Sequence, residues 1–210
     1  MAPLHSTTGS AGTQPLGTGR IGRALSWLGR RRVRISFHVG AFLLLANWYL
    51  GVRPHPPGSL GDVVGLAGTG LVLLGTLLRS WASGIVHKNT KLATDGPYSL
   101  MRHPHYVGSL LMVLGFCVLL GSWVNFVVAL PYLALVHAPQ ALAEEHSLHL
   151  TFGEAWLAYC RRTAWFWPRA LPFHQRGQWT LRAWLEKLEY RAVLVAVLGW
   201  ALLALLAEPL

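Results

Sequence analysis

Long apolar runs broken by short polar stretches set the pattern of this chain. Five runs stand out: Ile35–Val52, Leu60–Leu78, Tyr106–Leu120, Val124–Ala138 and Arg191–Ala207. Several fall a little below the ~20 residues a helix needs to cross a bilayer. Lipid offers no partner for a bare amide, so runs of this kind predict helices rather than open strands. Arg53–Ser59, with Pro54, Pro56 and Pro57, predicts a turn between the first two. Only Gly121–Trp123 separates the third and fourth, which predicts a tight hairpin. The second run carries Gly61, Gly65, Gly68, Gly70 and Gly75. Small residues let helix backbones approach where lipid supplies no hydrophobic drive. Trp48, Tyr49, Trp123 and Tyr190 flank the runs, as interfacial anchors do. The expected fold is all-α, a polytopic helical membrane protein of about five spans. Its parts are a basic flexible tail over 1–34, a core over 35–170 and an extension over 171–210 that carries the fifth span. The tail is rich in Gly, Ser, Thr and Arg, and no acidic residue precedes Asp62. That composition fits an organelle transit peptide as well as a flexible basic tail; the division above takes the second.

Composition agrees with lipid as the solvent. The chain is 53% hydrophobic and only 12% charged, against about 25% charged in a soluble domain. The net charge of +10 acquires a meaning once the spans are drawn. Seventeen of the 18 Lys and Arg then lie on one side and Arg53 alone on the other. The positive-inside rule places the N-terminus and both long polar segments, 79–105 and 139–190, in the cytosol. The same basic surface attracts anionic membrane lipid. A nucleic-acid partner is not expected, because the charge is distributed between apolar runs instead of along one stripe. Cys117 and Cys160 form no CxxC pair, which excludes a disulfide framework or zinc ribbon. His103 with His105, and His146 with His149, are too sparse a set to predict a metal site, and none is expected.

The chemistry must lie in the two long polar segments. In the first, Asp95-Gly96-Pro97 signals a turn. Pro104 suits the first turn of the third helix, where its missing N–H costs nothing. Arg102 and His103 then flank the positive end of a helix, which attracts a carboxylate or phosphate. In the second segment, Pro139 follows the fourth span, and Glu144 and Glu145 sit where a helix leaves the membrane. Neighbours on a helix differ by about 100°, so the two carboxylates are expected to diverge. One turns toward the first segment and the other toward water or a base. Pairing with Arg79 or Arg102 is the purely structural role open to them. An anion site beside a carboxylate suits a zwitterionic ligand.

The motifs add a resemblance. Thr94-x-Gly96-x-Tyr98, then Arg102-His103-Pro104-x-Tyr106-x-Gly108, resembles the isoprenylcysteine carboxyl methyltransferase and phospholipid methyltransferase superfamily. Glu144-Glu145-x-x-Leu148, Phe152-Gly153-Glu154, Tyr159 and Pro168 resemble the second signature of that superfamily. The resemblance covers roughly residues 60–170. It implies S-adenosylmethionine as cofactor, in a pocket at the cytosolic membrane face. Thr90, Lys91, Leu92, Ala93, Tyr98, His103, Pro104, His105, Tyr106 and Glu144 would line that pocket. Arg102 and Glu145 would be catalytic, and Gln140 would meet the substrate. The implied reaction is methyl transfer to a lipophilic acceptor, either an isoprenylcysteine-type carboxylate or a phospholipid amine. This sequence departs from the pattern in three places. Gln140 stands where isoprenylcysteine methyltransferases carry a substrate-contacting Arg, Trp156 stands at a usual Tyr, and the chain continues past Pro168. Two other readings share part of the pattern: a membrane NAD(P)H reductase of the sterol-reductase type, which has a similar Arg-His-Pro block, and a non-catalytic homologue.

Overall fold

A computed structural model describes residues 20–85, 91–166 and 178–208. Among these the chain forms eight helices: α1 (Arg20–Tyr49), α2 (Val63–Ile85), α3 (Pro97–Leu100), α4 (Pro104–Leu120), α5 (Trp123–Phe152), α6 (Glu154–Arg162), α7 (Leu181–Glu186) and α8 (Tyr190–Ala207). The described residues contain no strand, only an isolated bridge between Met101 and Ala164. The five long helices occupy the five apolar runs, and the fold is an all-α membrane protein. By length and composition α2, α5 and α8 suffice to cross a bilayer, and α4 is a shorter apolar helix. At 17 residues α4 is about 25 Å long, short of a hydrocarbon core of about 30 Å.

The helix boundaries depart from expectation at three places, one of them the end of α2, which runs past Leu78 to Ile85. α1 begins at Arg20, so part of the stretch read as a flexible tail is helical. Arg, Leu and Ala are good helix formers, and an existing helix extends at little cost. α5 does not stop at Pro139. It runs through Pro131 and Pro139 to Phe152, carrying Glu144 and Glu145 on one continuous rod with the fourth span. Proline is tolerated inside membrane helices because neighbouring groups re-satisfy the freed backbone. Gly153 (φ 49) ends the rod and starts α6.

α2 packs most extensively on α4. The two run antiparallel, with Gly75 opposite Gly108 and Gly68 opposite Gly115. Of the five glycines expected to line a contact, Gly65, Gly68 and Gly75 are buried, whereas Gly61 and Gly70 are exposed. Gly121 (φ 76) turns α4 into α5, and Ser122 Oγ accepts from Val124 N to start it. α1 lies against α5, where buried Asn47 and Asn125 exchange side-chain hydrogen bonds at 2.7 and 3.4 Å. Ser36 meets Tyr132 at the other end of that contact. α8 lies against α2, with Glu189 near Arg79 and Trp200 near Thr69. These pairings gather the start of α1, the end of α2, the start of α4, the end of α5 and the start of α8 at one end of the bundle. Arg53 lies at the other.

Candidate functional site

The site grows from the first turn of α4. Pro104 sits at its N-terminus, and His103 is the N-cap residue, with its side chain free of any capping bond. Both are buried, and His103 is only 3% exposed. The backbone before the helix is pinned by a segment far along the chain. After α6, residues 163–166 return so that Met101 bridges Ala164, and Arg102 N donates to Ala164 O at 2.9 Å. Tyr159 of α6 adds a second tie: its hydroxyl donates to Tyr98 O at 2.7 Å. The same return sets Trp165 edge-on against His103, with ring centroids 5.3 Å apart.

The anion at this helix start comes from the chain itself. Glu145 Oε1 accepts from Arg102 Nη1 at 2.8 Å and lies 3.1 Å from His103 Nε2. Glu144 Oε2 accepts from Tyr106 OH at 3.1 Å. The two carboxylates were expected to part, one toward the first polar segment and the other toward water or a base, and Glu145 does meet a base in Arg102. Both nonetheless meet the Arg102–Tyr106 block: Glu145 is half-buried and Glu144 exposed. His137, two turns before Glu144 on α5, stacks edge-on against Tyr106 at 5.3 Å. Arg102 also donates to Cys160 Sγ at 3.1 Å and lies 6.0 Å from the Trp156 ring. Its Nε is buried and has no hydrogen-bond partner among the described residues.

Two phenols at the site are held protonated. Burial above all raises Tyr98, with the charge of Glu144 next. Burial likewise raises Tyr159, against a smaller opposing pull from Arg102. A phenol harder to ionise when folded than when unfolded contributes stability that is fully present below its ordinary value of about 10. That contribution is lost as pH rises beyond it. Thermal unfolding in detergent is therefore expected to drop above about pH 10. Tyr159→Phe is expected to lower stability by about 1 kcal/mol at neutral pH and to shrink the alkaline decline. An unchanged alkaline profile in that variant would contradict the role given to this phenol.

The structure brings Arg102, His103, Tyr106, Glu144 and Glu145 into direct contact, with Pro104 beneath them. Tyr98 lies within the field of Glu144. Gln140 lies one turn before Glu144 on α5 and is exposed. His105 does not join them: its ring faces α2, 3.5 Å from Ser83 Oγ. Lys91 is exposed and pairs at 4.0 Å with Asp95 in its own loop, while Leu92 and Ala93 are half-buried. Thr90 lies outside the described residues. Of the two structural pairings open to the carboxylates, Arg102 takes Glu145, and Arg79 takes Glu189 instead. Sequence reading missed Trp165, His137 and the 163–166 return. An aromatic cluster after the second motif was the one available signal for Trp165; the return pairing leaves none.

Comparison with known proteins follows the same residues. A family model for phospholipid methyltransferases matches residues 63–155. The chain is 36% identical over 157 residues to the cobalt-zinc-cadmium resistance protein CzcN of Cupriavidus metallidurans, covering 73% of this chain and 69% of that protein. It is 34% identical over 120 residues to the nickel-cobalt-cadmium resistance protein NccN of Alcaligenes xylosoxydans xylosoxydans, covering 54% of this chain and 53% of that one. It is 29% identical over 118 residues to protein-S-isoprenylcysteine O-methyltransferase B of Arabidopsis thaliana, covering 50% and 58%. The chain thus spans little more than half the length of these last two. No solved structure matches it.

Proposed function

The chain belongs to the isoprenylcysteine carboxyl methyltransferase and phospholipid methyltransferase superfamily of membrane proteins, and from that premise we propose that it transfers a methyl group from S-adenosylmethionine to a lipophilic acceptor. One observation carries the reading: two motif blocks 38 residues apart between Tyr106 and Glu144 close on each other at one end of the bundle. The working face would be cytosolic, because all the basic segments share that end.

The residues present suit the cofactor. Arg102 Nε, buried and without a partner among the described residues, supplies an N–H for the methionine carboxylate. Glu144, exposed and oriented by Tyr106, offers an acceptor for the ammonium or the ribose hydroxyls. Tyr98, His103 and Trp165 wall the site and exclude water, which strengthens every charge inside it. Bound there, the cofactor supplies an already activated methyl group, so the protein's task is positioning. A carboxylate acceptor needs no base. An amine acceptor must lose a proton, and Glu144 is the open carboxylate placed to take it. Gln140, one turn away, favours an acceptor recognised by hydrogen bonding over one held by a full positive charge. Two relatives are metal resistance proteins by name. They add a setting for this reading, in which methylation of a membrane component alters how the envelope meets metal ions.

The purified protein is expected to bind S-adenosylhomocysteine in calorimetry and not NADPH. The reverse would favour a membrane reductase, with its similar Arg-His-Pro block. Labelled methyl from the cofactor should enter membrane lipid, and His103→Ala and Glu144→Ala should reduce it. Full activity in both variants would refute the site.

A further inference from the structure

Outside the two motif blocks, one buried charge pair ties the C-terminal helix to the site. Glu189 opens α8 and is 4% exposed. Its carboxylate grips Arg79 of α2 with both oxygens, Oε1 on Nε at 2.8 Å and Oε2 on Nη2 at 3.1 Å. The remaining nitrogen, Nη1, turns to α4. It lies 2.5 Å from Ser109 Oγ and 3.5 Å from His105 O. Ser109 Oγ donates to the same carbonyl at 2.9 Å. Every nitrogen of Arg79 is thus engaged, and the network ends on the first turn of α4, between His103 and Tyr106. Gly108 permits the approach, since a Cβ there would lie 2.6 Å from Arg79 Cγ.

The chain goes to some length to deliver Glu189. α7 closes with Leu188 N on Leu185 O and Glu189 N on Trp184 O, and Leu188 takes φ 57. That left-handed position at a helix end is usually glycine. Before α7, Trp179 Nε1 donates to Ser80 O and Thr180 N to Gly84 O, each at 3.0 Å, seating the extension on the end of α2. Ionisable pairs held inside membrane proteins are costly, and their usual justification is functional.

We propose that Glu189 is a positioning residue for methyl transfer: acting through Arg79, it fixes the first turn of α4 and so the placement of His103 and Tyr106 against Glu145 and Glu144. The proposal rests on the methyltransferase reading. It gives the C-terminal extension a place in the reaction that neither motif block assigns.

The test is S-adenosylhomocysteine binding by the full chain in lipid nanodiscs. Glu189→Gln is expected to weaken binding about tenfold, since small displacements of positioned groups are costly. Glu189→Asp, which keeps the charge, should recover most of that loss. Trp200→Phe is the control. It removes the 3.3 Å bond from Trp200 Nε1, further along α8, to Thr69 Oγ1 and should change binding by less than about twofold. If Glu189→Gln does not fold, Ser109→Ala cuts the same link at α4 and should weaken binding about threefold. Wild-type binding with unchanged affinity in Glu189→Gln, or in Ser109→Ala where that variant stands in, overturns this proposal alone. Equal losses in Trp200→Phe and Glu189→Gln also overturn it, because α8 would then act only through general stability. Absence of binding by the wild type overturns the methyltransferase reading, and this proposal falls with it.

Discussion

Glu145→Gln is expected to lower methyl transfer about 100-fold while leaving helix content intact. One carboxylate oxygen of Glu145 serves both Arg102 and His103, at 2.8 and 3.1 Å. Hydrogen bonds to charged groups contribute about 1.5–3 kcal/mol each. Both partners lie before the first turn of α4, so losing the carboxylate loosens the whole block at once. The side chains of Arg102 and Glu145 are 18% and 23% exposed, and solvent trims the pair to about 3 kcal/mol in total. Glutamine keeps the shape and one acceptor oxygen, which protects the fold and isolates the charge. The measurement is label transfer from S-adenosylmethionine into lipid by reconstituted protein, with circular dichroism alongside. A variant that keeps half its activity would show that Glu145 is not part of the machinery. Glu144→Gln is a milder change, because Glu144 is exposed and bonded only to Tyr106 among the contacts described.

The helices were legible because an apolar run in lipid has few alternatives. The runs beginning at Leu60, Tyr106, Val124 and Arg191 each start a helix within a few residues of the expected place, although α2 and α5 run on past their expected ends. The limits of α1 and α5 were harder to read. Arginine is a good helix former but looks like tail in a Gly-rich context, and Pro139 looks like a stop until neighbouring helices support it. The Arg102–Tyr106 block and the acidic pair were also legible, each through local residue types. What could not be read was which groups meet. Arg79 and Glu189 are 110 residues apart, and no periodicity links them. The bridge from Met101 to Ala164 depends on how α6 folds back after Gly153, which is a property of tertiary packing. Likewise His105 sits in the motif yet faces α2, because adjacent helical positions point to different sides.

Gly75→Leu should prevent the bundle from closing. A Cβ at Gly75 would lie 2.5 Å from Gly108 O and 2.7 Å from Met112 N. Both are backbone atoms, so no rotamer change relieves the clash, and the two helices must separate. A leucine there is expected to cost about 3 kcal/mol or more, at the upper end for overpacking. Separation also pulls Arg79 away from the first turn of α4, so cofactor binding should fall along with thermal stability. Gly70 supplies the comparison. It lies on the same helix with nothing within 4 Å of its Cβ position, and Gly70→Leu should be tolerated. Similar melting curves for the two variants would mean that α2 and α4 are not packed as described.

The paired amides of Asn47 and Asn125 bear on how the protein is made. During synthesis α1 is made carrying an amide whose partner on another helix lies 78 residues downstream. At about 5–20 residues per second, the ribosome needs on the order of 4–16 s to supply it. Through that interval Asn47 Nδ2 has Leu43 O of its own helix, at 2.7 Å, as its partner. The cross-helix half of this amide pair therefore forms only once α5 has been made, and the docking of α1 on the bundle waits on that helix.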